Sequence, residues 1–546
     1  MKSILIPILS LVSSLAVVAR AAEPAIIPLP QKMTVHEGAF ALGPETPILA
    51  DRKSKATGAF LAERLRAATG LPFPAKSAGE ATNGAILLTT KGSDPSLGPE
   101  GYELIVAPDS VLIRAPAEAG LFYGVETFLQ LLPPEVFAAK PAAGVKWEAP
   151  CVEIRDQPRF AWRGLLLDVS RHFLTKQEVE QILDGLALHK INTLHWHLVD
   201  DDGWRIQIKK YPLLTEVGAW RKAIGFKLDP KESAAYGPDG RYGGYYTQND
   251  IREVVRYAAA RHITIVPEIE MPGHSSAALK AYPQFSCTGA PFSVDRGGGV
   301  NHGVYCAGND KAFDFLQNIL KEVFALFPSK YIHVGGDEVP TRNWANCEKC
   351  QARKKAEGLQ TDRQLESYFI QRMEKFINAH GRSLIGWSEI REGGLAKNAA
   401  LMDWIGGATE GASAGHDVVM TPGSHCYLDH YQSQNRAKEP YAIGGMAGSV
   451  LPLRKVYGFE PIPADLAPEF HRHILGAQGN LWTEFVPNLR HAEYMIFPRE
   501  SALAEVTWSP KEARNLDDFM RRLKTDEQRL DQMGLNYRRN PLDDGQ

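Results

Sequence analysis

The octapeptide Tyr331-Ile332-His333-Val334-Gly335-Gly336-Asp337-Glu338 joins an apolar run, a double-glycine turn and two adjacent carboxylates. The apolar run predicts a short buried strand. The glycines let the backbone turn sharply, so that both acids leave from the end of the strand. Adjacent acids repel, and one of the two therefore tends to keep its proton near neutral pH. A solvated acidic turn is the alternative interpretation of this motif taken alone.

Seven further apolar runs flank this strand along the chain. The eight strand candidates begin near Gly164, Ile191, Ile263, Tyr331, Ser383, Leu401, Val418 and Ile474. Amphipathic helices are predicted between the early ones, over 176–190, 249–261, 310–327 and 362–379. The first and last of these open with capping boxes, Thr175 with Glu178 and Thr361 with Gln364. The pattern predicts an α/β fold, a (β/α)8 TIM barrel with inserted loops over residues 159–510.

The segments outside the barrel predict three more units. Residues 24–158 are expected to form a small α+β domain, with a hairpin around Pro108-Asp109-Ser110 and a helix over 119–132. Residues 511–546 are expected to form a helical extension packed on the barrel. Residues 1–21 resemble a signal peptide, with Lys2, an apolar stretch and the cleavage site Ala19-Arg20-Ala21. This pattern predicts export, to the periplasm or outside the cell, and a mature chain without a membrane span; a membrane anchor is the alternative.

Charge and cysteine content narrow the function classes. A formal net charge of −3 over 546 residues gives no basic surface for nucleic acid. Six cysteines in an exported chain can form disulfides, and a Cys287–Cys306 bridge is expected across a glycine-rich loop. Cys347-Glu-Lys-Cys350 could indicate a zinc knuckle or a redox pair. No second C-x-x-C and no suitably spaced histidine pair accompanies it, which favours a local disulfide or two free thiols.

Acids, histidines and tryptophans concentrate where the predicted strands end, which is where a (β/α)8 barrel builds its active site. These residues are Asp168, Arg171, Asp200, Asp201, Glu268, Glu270, His274, Asp337, Glu338, Trp387, Glu389, Asp403, Trp404, Trp482 and Glu484. Each acid alone is more often a solvated loop residue. Together they predict a pocket.

Three functions fit such a rim. Glycoside hydrolysis needs a carboxylic acid to protonate the departing oxygen and a second group to meet the developing positive charge. Metal-dependent hydrolysis could use His195 and His197, which lie on one side of a strand, although two satisfied core histidines are the simpler interpretation. A non-enzymatic sugar-binding protein would keep the tryptophans and have no use for the paired acids.

The chain resembles the β-N-acetylhexosaminidases of glycoside hydrolase family 20 over nearly its whole mature length. The matching stretches are Gly101-Tyr-Glu-Leu, Ala119-Gly-Leu-Phe-Tyr-Gly, Gly164-Leu-Leu-Leu-Asp-Val-Ser-Arg-His-Phe, His195-Trp-His-Leu-Val-Asp-Asp-Asp-Gly-Trp-Arg, Val266-Pro-Glu-Ile-Glu-Met-Pro-Gly-His, His333-Val-Gly-Gly-Asp-Glu, Trp387-Ser-Glu, Cys426-Tyr-Leu-Asp and Asn480-Leu-Trp-Thr-Glu. Their number and order make coincidence a poor explanation.

The resemblance implies an assignment of roles in which the 2-acetamido group of the substrate is the nucleophile. Glu338 would be the general acid and then the base, Asp337 would hold the acetamide N–H, and Tyr427 would donate to the acetamide oxygen. The implied substrate-binding residues are Arg171, Trp387, Trp404, Asp429, Trp482 and Glu484, with Asp200, His274 and His333 as a supporting layer.

The sequence is thus interpreted as an exported exo-β-N-acetylhexosaminidase acting with retention on terminal β-linked GlcNAc, and GalNAc, of oligosaccharides or glycoconjugates. No cofactor and no bound metal are expected. A catalytically silent GlcNAc-binding protein on the same fold and a metal-dependent amidohydrolase stay open as alternatives. The sequence leaves the natural substrate and the oligomeric state open.

Overall fold

The structure, a computed structural model, describes residues 23–77, 83–222, 240–291, 303–435, 439 and 449–542. The predicted signal peptide, 1–21, lies outside these residues. Among the residues described, none of the helices combines the length and apolar composition needed to cross a membrane.

Two groups of strands follow each other along the chain, one in the N-terminal region and one in the barrel. In the first, the strands are β1 (Lys32–Ala41), β2 (Ile48–Ala50), β3 (Ala75–Ser77), β4 (Ala85–Thr89), β5 (Tyr102–Ala107), β6 (Ser110–Arg114) and β7 (Glu148–Asp156). In the second, they are β8 (Trp162–Asp168), β9 (Thr193–His197), β10 (Val199–Asp200), β11 (Gly203–Trp204), β12 (Trp220–Lys222), β13 (Arg241–Gly243), β14 (Thr264–Glu268), β15 (Tyr331–His333), β16 (Ser383–Trp387), β17 (Ala400–Asp403), β18 (Val418–Met420) and β19 (Ile474–Leu481).

Helices occupy much of the remaining described chain. The α-helices are α1 (Lys55–Thr69), α2 (Glu118–Leu131), α3 (Lys176–Leu188), α4 (Leu213–Glu216), α5 (Gln248–Ala259), α6 (Ser276–Ala281), α7 (Asp310–Leu326), α8 (Arg342–Ala345), α9 (Glu348–Ala356), α10 (Asp362–Ala379), α11 (Ala408–Ser413), α12 (Gly423–Cys426), α13 (Leu453–Tyr457), α14 (Leu489–Ile496), α15 (Arg499–Trp508) and α16 (Leu516–Met533). Short 3₁₀ helices lie at Pro95–Leu97, Pro134–Phe137, Pro283–Phe285, Ser388–Arg391, Pro468–His473 and Lys511–Ala513.

The N-terminal region is a separate α+β unit, as predicted. Its strands form one mixed sheet in the order β1-β7-β5-β6-β4-β2-β3. The predicted hairpin is β5 paired antiparallel with β6. Helix α2 is almost wholly buried and packs on β5 and β6, where Gly124 lets it approach the side chains of Ile113 and Tyr102 closely.

The catalytic-domain expectation of a (β/α)8 barrel is confirmed. Strands β14, β15, β16, β17, β18, β19, β8 and β9 close into one barrel, and every pairing between them is parallel. Each begins within two residues of its predicted start. The capping boxes at Thr175 and Thr361 are both present, and a third at Thr247 starts α5.

Alternation along the strands divides the packing into an outer and an inner core. In β8, Leu165 and Leu167 pack outward under the helices, whereas Leu166 points into the barrel. In β9, Leu194 and Trp196 belong to the outer core. His195 and His197 therefore point into the barrel interior.

Helix α16 joins the barrel to the N-terminal domain. Its Arg522 forms a buried ion pair with Glu505 of α15, with Nη1 of the arginine 2.6 Å from Oε2 of the glutamate. Its Asp526 lies 2.9 Å from Nε2 of His189, which caps α3. From the same helix, Arg529 donates to the carbonyl oxygen of Gln130 in the N-terminal domain at 2.8 Å. The helix thus contacts both units.

The predicted Cys287–Cys306 disulfide is wrong in this structure, where all six cysteines are free thiols. The sulfur of Cys306 lies 3.6 Å from that of Cys350 and 3.8 Å from that of Cys347, in a group of four sulfurs that also includes that of Cys287. Both distances far exceed the S–S bond length of about 2.05 Å. The sequence spacing of a loop does not show which other loop packs against it.

Candidate active site

All eight barrel strands contribute to one rim at their C-terminal ends. Arg171 follows β8, Asp200 follows β9, His274 follows β14, Asp337 and Glu338 follow β15, Trp387 ends β16, Trp404 follows β17, Tyr427 and Asp429 follow β18, and Trp482 and Glu484 follow β19. Every sequence-predicted site residue therefore lies at the end of the barrel that is used for catalysis in this fold, with His333 in the last position of β15.

The turn after β15 requires both of its glycines. Gly335 and Gly336 have φ angles of 67° and 89°. A Cβ on Gly335 would lie 1.7 Å from Oε2 of Glu270, and one on Gly336 would lie 2.4 Å from Cγ2 of Ile390. Glu338 itself adopts φ 47°, which is uncommon for a residue with a side chain. The closely packed turn fixes the direction in which the two acids leave the strand.

The two adjacent acids occupy different environments. The side chain of Asp337 is 15% exposed, whereas that of Glu338 is 53% exposed. Nε2 of His274 lies 3.5 Å from Oδ2 of Asp337 and 3.5 Å from Oε2 of Glu338. Burial raises the pKa of Asp337; the charge of His274 opposes this rise, and the nearby carboxylates of Glu268 and Asp200 add to it. The pair is thus one mostly buried and one accessible carboxyl group.

A charged network links His274 to Arg171 through Asp200. One oxygen of Asp200 lies 3.2 Å from Nδ1 of His274, and the other lies 2.8 Å from both Nη2 of Arg171 and Nε2 of His197. Burial alone would raise the pKa of Asp200, but the charges of Arg171 and His274 hold it well below its usual range. Burial likewise opposes protonation of His274, but Asp200 and Asp337 raise its pKa well above the usual value. The network therefore places an imidazolium beside the acid pair.

Arg171 is held rigidly by several acids. Besides Asp200, its guanidinium lies 3.3 Å from Oδ2 of Asp168 and 3.7 Å from Oε1 of Glu484. It also lies over the ring of Trp482, 5.1 Å from the centroid. Its side chain keeps 12% exposure. A fixed guanidinium can present its remaining N–H groups to two neighbouring hydroxyl groups of a ligand.

Glu268 organises the polar interior of the barrel. It accepts a hydrogen bond from Nε1 of Trp387 at 2.9 Å, and its oxygens lie 2.7 Å from Nδ1 of His333 and 3.0 Å from Nε2 of His195. His197 forms a short hydrogen bond with the same carboxylate. His195 and His197 are thus paired core histidines, which favours the simpler of the two interpretations of this sequence pair.

An aromatic wall runs along one side of the rim. The ring centroids of Trp387 and Trp482 are 5.7 Å apart, and those of Trp482 and Tyr427 are 6.4 Å apart. Tyr427 stacks on Trp404 at 5.9 Å with an interplanar angle of 18°. Burial, with the charges of Asp429 and Asp337, raises the pKa of the Tyr427 hydroxyl, so this group stays a hydrogen-bond donor. Apolar ring faces with a phenolic donor suit an N-acetylated sugar.

Six rim acids predicted from the sequence, among them Glu268, Glu270 and Glu389, have no role implied by the resemblance. Glu268 is described above. Glu389 accepts from Nε1 of Trp404 at 2.9 Å, and burial with the nearby Asp337 raises its pKa to about 7. Burial and the charge of Asp337 also raise the pKa of Glu270. All three lie in the matched sequence motifs, but only the folded arrangement shows which partner each acid meets.

Comparison with known proteins agrees with this geometry. The glycosyl hydrolase family 20 catalytic domain matches residues 160–511, and domain 2 of that family matches residues 23–157. A β-hexosaminidase of Porphyromonas gingivalis is 43% identical over 94% of this chain and 64% of its own length. A β-hexosaminidase of Vibrio furnissii is 38% identical over 76% of this chain and 66% of its own length. The chain thus spans slightly less than two thirds of each of these relatives.

Among solved structures, the Vibrio harveyi GH20 exo-β-N-acetylglucosaminidase in complex with N-acetylglucosamine has a TM-score of 0.81 at 33% identity, covering 94% of this chain and 78% of that one. Both domains of the chain therefore match one family. The chain belongs to glycosyl hydrolase family 20.

Proposed function

We propose that this protein is an exo-β-N-acetylhexosaminidase that removes terminal, non-reducing, β-linked GlcNAc, and GalNAc, with retention of configuration. The observation that carries the proposal is the division of the acid pair into a mostly buried Asp337 and an exposed Glu338 beside an aromatic wall. The names of the P. gingivalis and V. furnissii relatives and the GlcNAc complex of the V. harveyi enzyme support the same activity.

The geometry supports a distinct role for each acid. Glu338 is half-exposed, so it can reach the glycosidic oxygen and later an incoming water molecule. Asp337 is mostly buried, so its charge acts at low dielectric and can stabilise the positive charge that grows on the acetamide nitrogen. The acetamide oxygen is the nucleophile, as is general for this family. Tethering gives it a high effective concentration at C1, so the protein needs no nucleophile of its own.

The remaining residues bind and orient the sugar. Tyr427 donates to the acetamide oxygen, and Trp387, Trp404 and Trp482 enclose the acetamide and the ring. Arg171 and Glu484, 3.7 Å apart, bind hydroxyl groups at the far end of the sugar together with Asp429. Because this end is occupied by binding groups, the site accepts one terminal residue, which is the basis of exo-action.

The activity is tested with oligosaccharides labelled at the reducing end. We expect the labelled chain to shorten by one N-acetylhexosamine at a time, and a chromogenic β-GlcNAc glycoside to be cleaved. Binding of GlcNAc without any cleavage would instead identify a silent sugar-binding protein. Release of acetate in place of the sugar would identify an amidohydrolase. Chitin oligomers, peptidoglycan fragments and N-glycans form the substrate panel.

The pH dependence tests the contact between His274 and Asp337. Asp337 must be ionised to stabilise the positive charge that grows on the acetamide nitrogen. Its pKa is raised, and activity is lost as the pH falls through that pKa. His274 lowers the pKa of Asp337 through its positive charge. We therefore expect His274→Ala to move the acidic limb of kcat/KM upward by about 1 pH unit. The matched control is His380→Ala, a change at the exposed C-terminal cap of α10.

An acidic limb that stays in place in His274→Ala would contradict this electrostatic role, whatever the loss in kcat.

Export is proposed from the N-terminal pattern of Lys2, the apolar stretch and Ala19-Arg20-Ala21. Sequencing the N-terminus of the protein recovered outside the cytoplasm would test it, since cleavage is expected after residue 21.

A further inference from the structure

Four of the six cysteines meet in one cluster that none of the preceding functions uses. Cys287 and Cys306 come from the segment between β14 and α7, and Cys347 and Cys350 from the start of α9, after β15. Their four sulfur atoms all lie within 4.8 Å of one another. Cys306 and Cys350 are fully buried, Cys347 is 7% exposed, and Cys287 is partly buried. We call these four residues the cysteine cluster.

The spacing of the sulfur atoms matches a tetrahedral metal site. Cys287 lies 3.8 Å from Cys350, and Cys306 lies 3.8 Å from Cys347 and 3.6 Å from Cys350. Zinc–sulfur bonds of about 2.3 Å give a tetrahedron with sulfur–sulfur edges of about 3.8 Å. A disulfide pairs each sulfur with one partner, whereas Cys306 and Cys350 each have two neighbours at nearly equal distance. The arrangement has the symmetry of ligands around a common centre.

The backbone around the cluster favours negatively charged sulfur atoms. Cys347 is the N-cap of α9 and Cys350 lies in its first turn, so both sulfurs lie near a helix N-terminus, which favours negative charge. A Cβ at position 308 would lie 2.2 Å from the carbonyl carbon of Lys349, so only glycine lets this loop approach α9 closely enough.

We propose that the cysteine cluster binds one structural Zn²⁺ through four thiolates. The four thiols release four protons on binding, and no electron transfer is involved. A Cys₄ set fills all four positions of a tetrahedral zinc ion and leaves none for a substrate, so the metal takes no part in glycoside hydrolysis. In the sequence, the absence of a second C-x-x-C argues against zinc. In the fold, Cys287 and Cys306, nineteen positions apart, supply the second pair.

The metal would tie together the two loops that carry the central catalytic groups. The loop after β14 carries His274, and the loop after β15 carries Asp337 and Glu338. Two bonds already connect the cluster to this region: Trp344 Nε1 donates to the carbonyl oxygen of Tyr305 at 2.9 Å, and Tyr305 N donates to that of Pro272 at 2.9 Å. A zinc ion in the cluster therefore fixes the distance between these two loops. The contacts of His274 with both acids depend on that distance.

The test is the metal content of the untagged full-length chain, purified with zinc in the medium and measured by elemental mass spectrometry. We expect about one zinc ion per chain and six free thiols after denaturation in a chelator. Cys350→Ser is expected to retain less than about a tenth of the zinc and to lower Tm by roughly 5 °C or more. Cys151→Ser, a change of a buried cysteine in β7 outside the cluster, is the matched control and should keep the zinc.

Wild-type protein without zinc would overturn the proposal, whether peptide mapping finds free thiols or disulfides among the four cysteines. So would zinc that persists in Cys350→Ser, or iron in place of zinc. The wild-type measurement decides the question even if Cys350→Ser fails to fold. Because zinc content is measured without turnover, its outcome is independent of the hexosaminidase assay.

Discussion

The Glu338→Gln variant is expected to lose about 10²–10⁴-fold in kcat on natural oligosaccharides, the usual contribution of a general acid. An amide cannot protonate the departing glycosidic oxygen, and an alkoxide of a sugar is a poor leaving group. Glu338 is half-exposed at the end of a closely packed turn, and glutamine has nearly the same size. The loss should therefore reflect chemistry, and Tm should stay close to that of the wild type.

The leaving group distinguishes an acid catalyst from a binding residue. Activated aryl glycosides need little protonation to depart, so Glu338→Gln should lose much less in their glycosylation step than on oligosaccharides. Single-turnover measurements isolate that step. An equal loss on both substrate classes would show that Glu338 does not act as the acid. Glu392→Gln, at a partly exposed position after β16, is a control that should leave both rates unchanged.

The barrel could be predicted from the sequence because two kinds of signal mark its strands: an apolar run, and turn or polar residues at the C-terminal end. The apolar run from Tyr331 predicts a strand, and the double glycine with its acids marks the C-terminal end. Helices such as α3 and α10 add capping boxes, which are local signals read from four consecutive residues. Parallel strands then place all such ends on one rim, so the site follows from the fold.

Pairwise contacts inside the site could not be predicted in the same way. Glu268 was one acid among many on the rim, yet it lies within hydrogen-bonding distance of His195 and His333 and binds Trp387. These partners come from three other strands, and their distances depend on the register of the barrel. Burial also divides Asp337 from Glu338, although the two are neighbours in the chain. The raised pKa of Asp337 arises from that burial.

The grouping of the cysteines could not be predicted from the sequence either, because it depends on which loops pack together. Local spacing suggested a bridge between Cys287 and Cys306, which flank one loop. The structure instead brings that loop against α9, where Cys347 and Cys350 complete a four-sulfur group. A contact between two loops on different barrel strands leaves no periodic pattern in the sequence, so only the assembled barrel shows it.

Asp337→Asn is expected to lower kcat/KM by about 10²–10³-fold, comparable to removing one preorganised group that stabilises charge in a transition state. The acetamide nitrogen becomes positive as its oxygen attacks C1, and a neutral amide cannot balance that charge. In parallel, the wild-type enzyme should slow steadily on substrates with acetyl, mono-, di- and trifluoroacetyl groups. Fluorine makes the acetamide oxygen a poorer nucleophile, and the loss is felt in the transition state.

The fluorine series separates two mechanisms that share the same retained product. If Asp337 were a covalent nucleophile, the acetamide would take no part in bond formation, so the rate would depend little on fluorine and a sugar ester on Asp337 could be trapped. A flat fluorine series, or a glycosyl-aspartate at position 337 found by mass spectrometry, would overturn substrate-assisted catalysis and leave an ordinary retaining glycosidase.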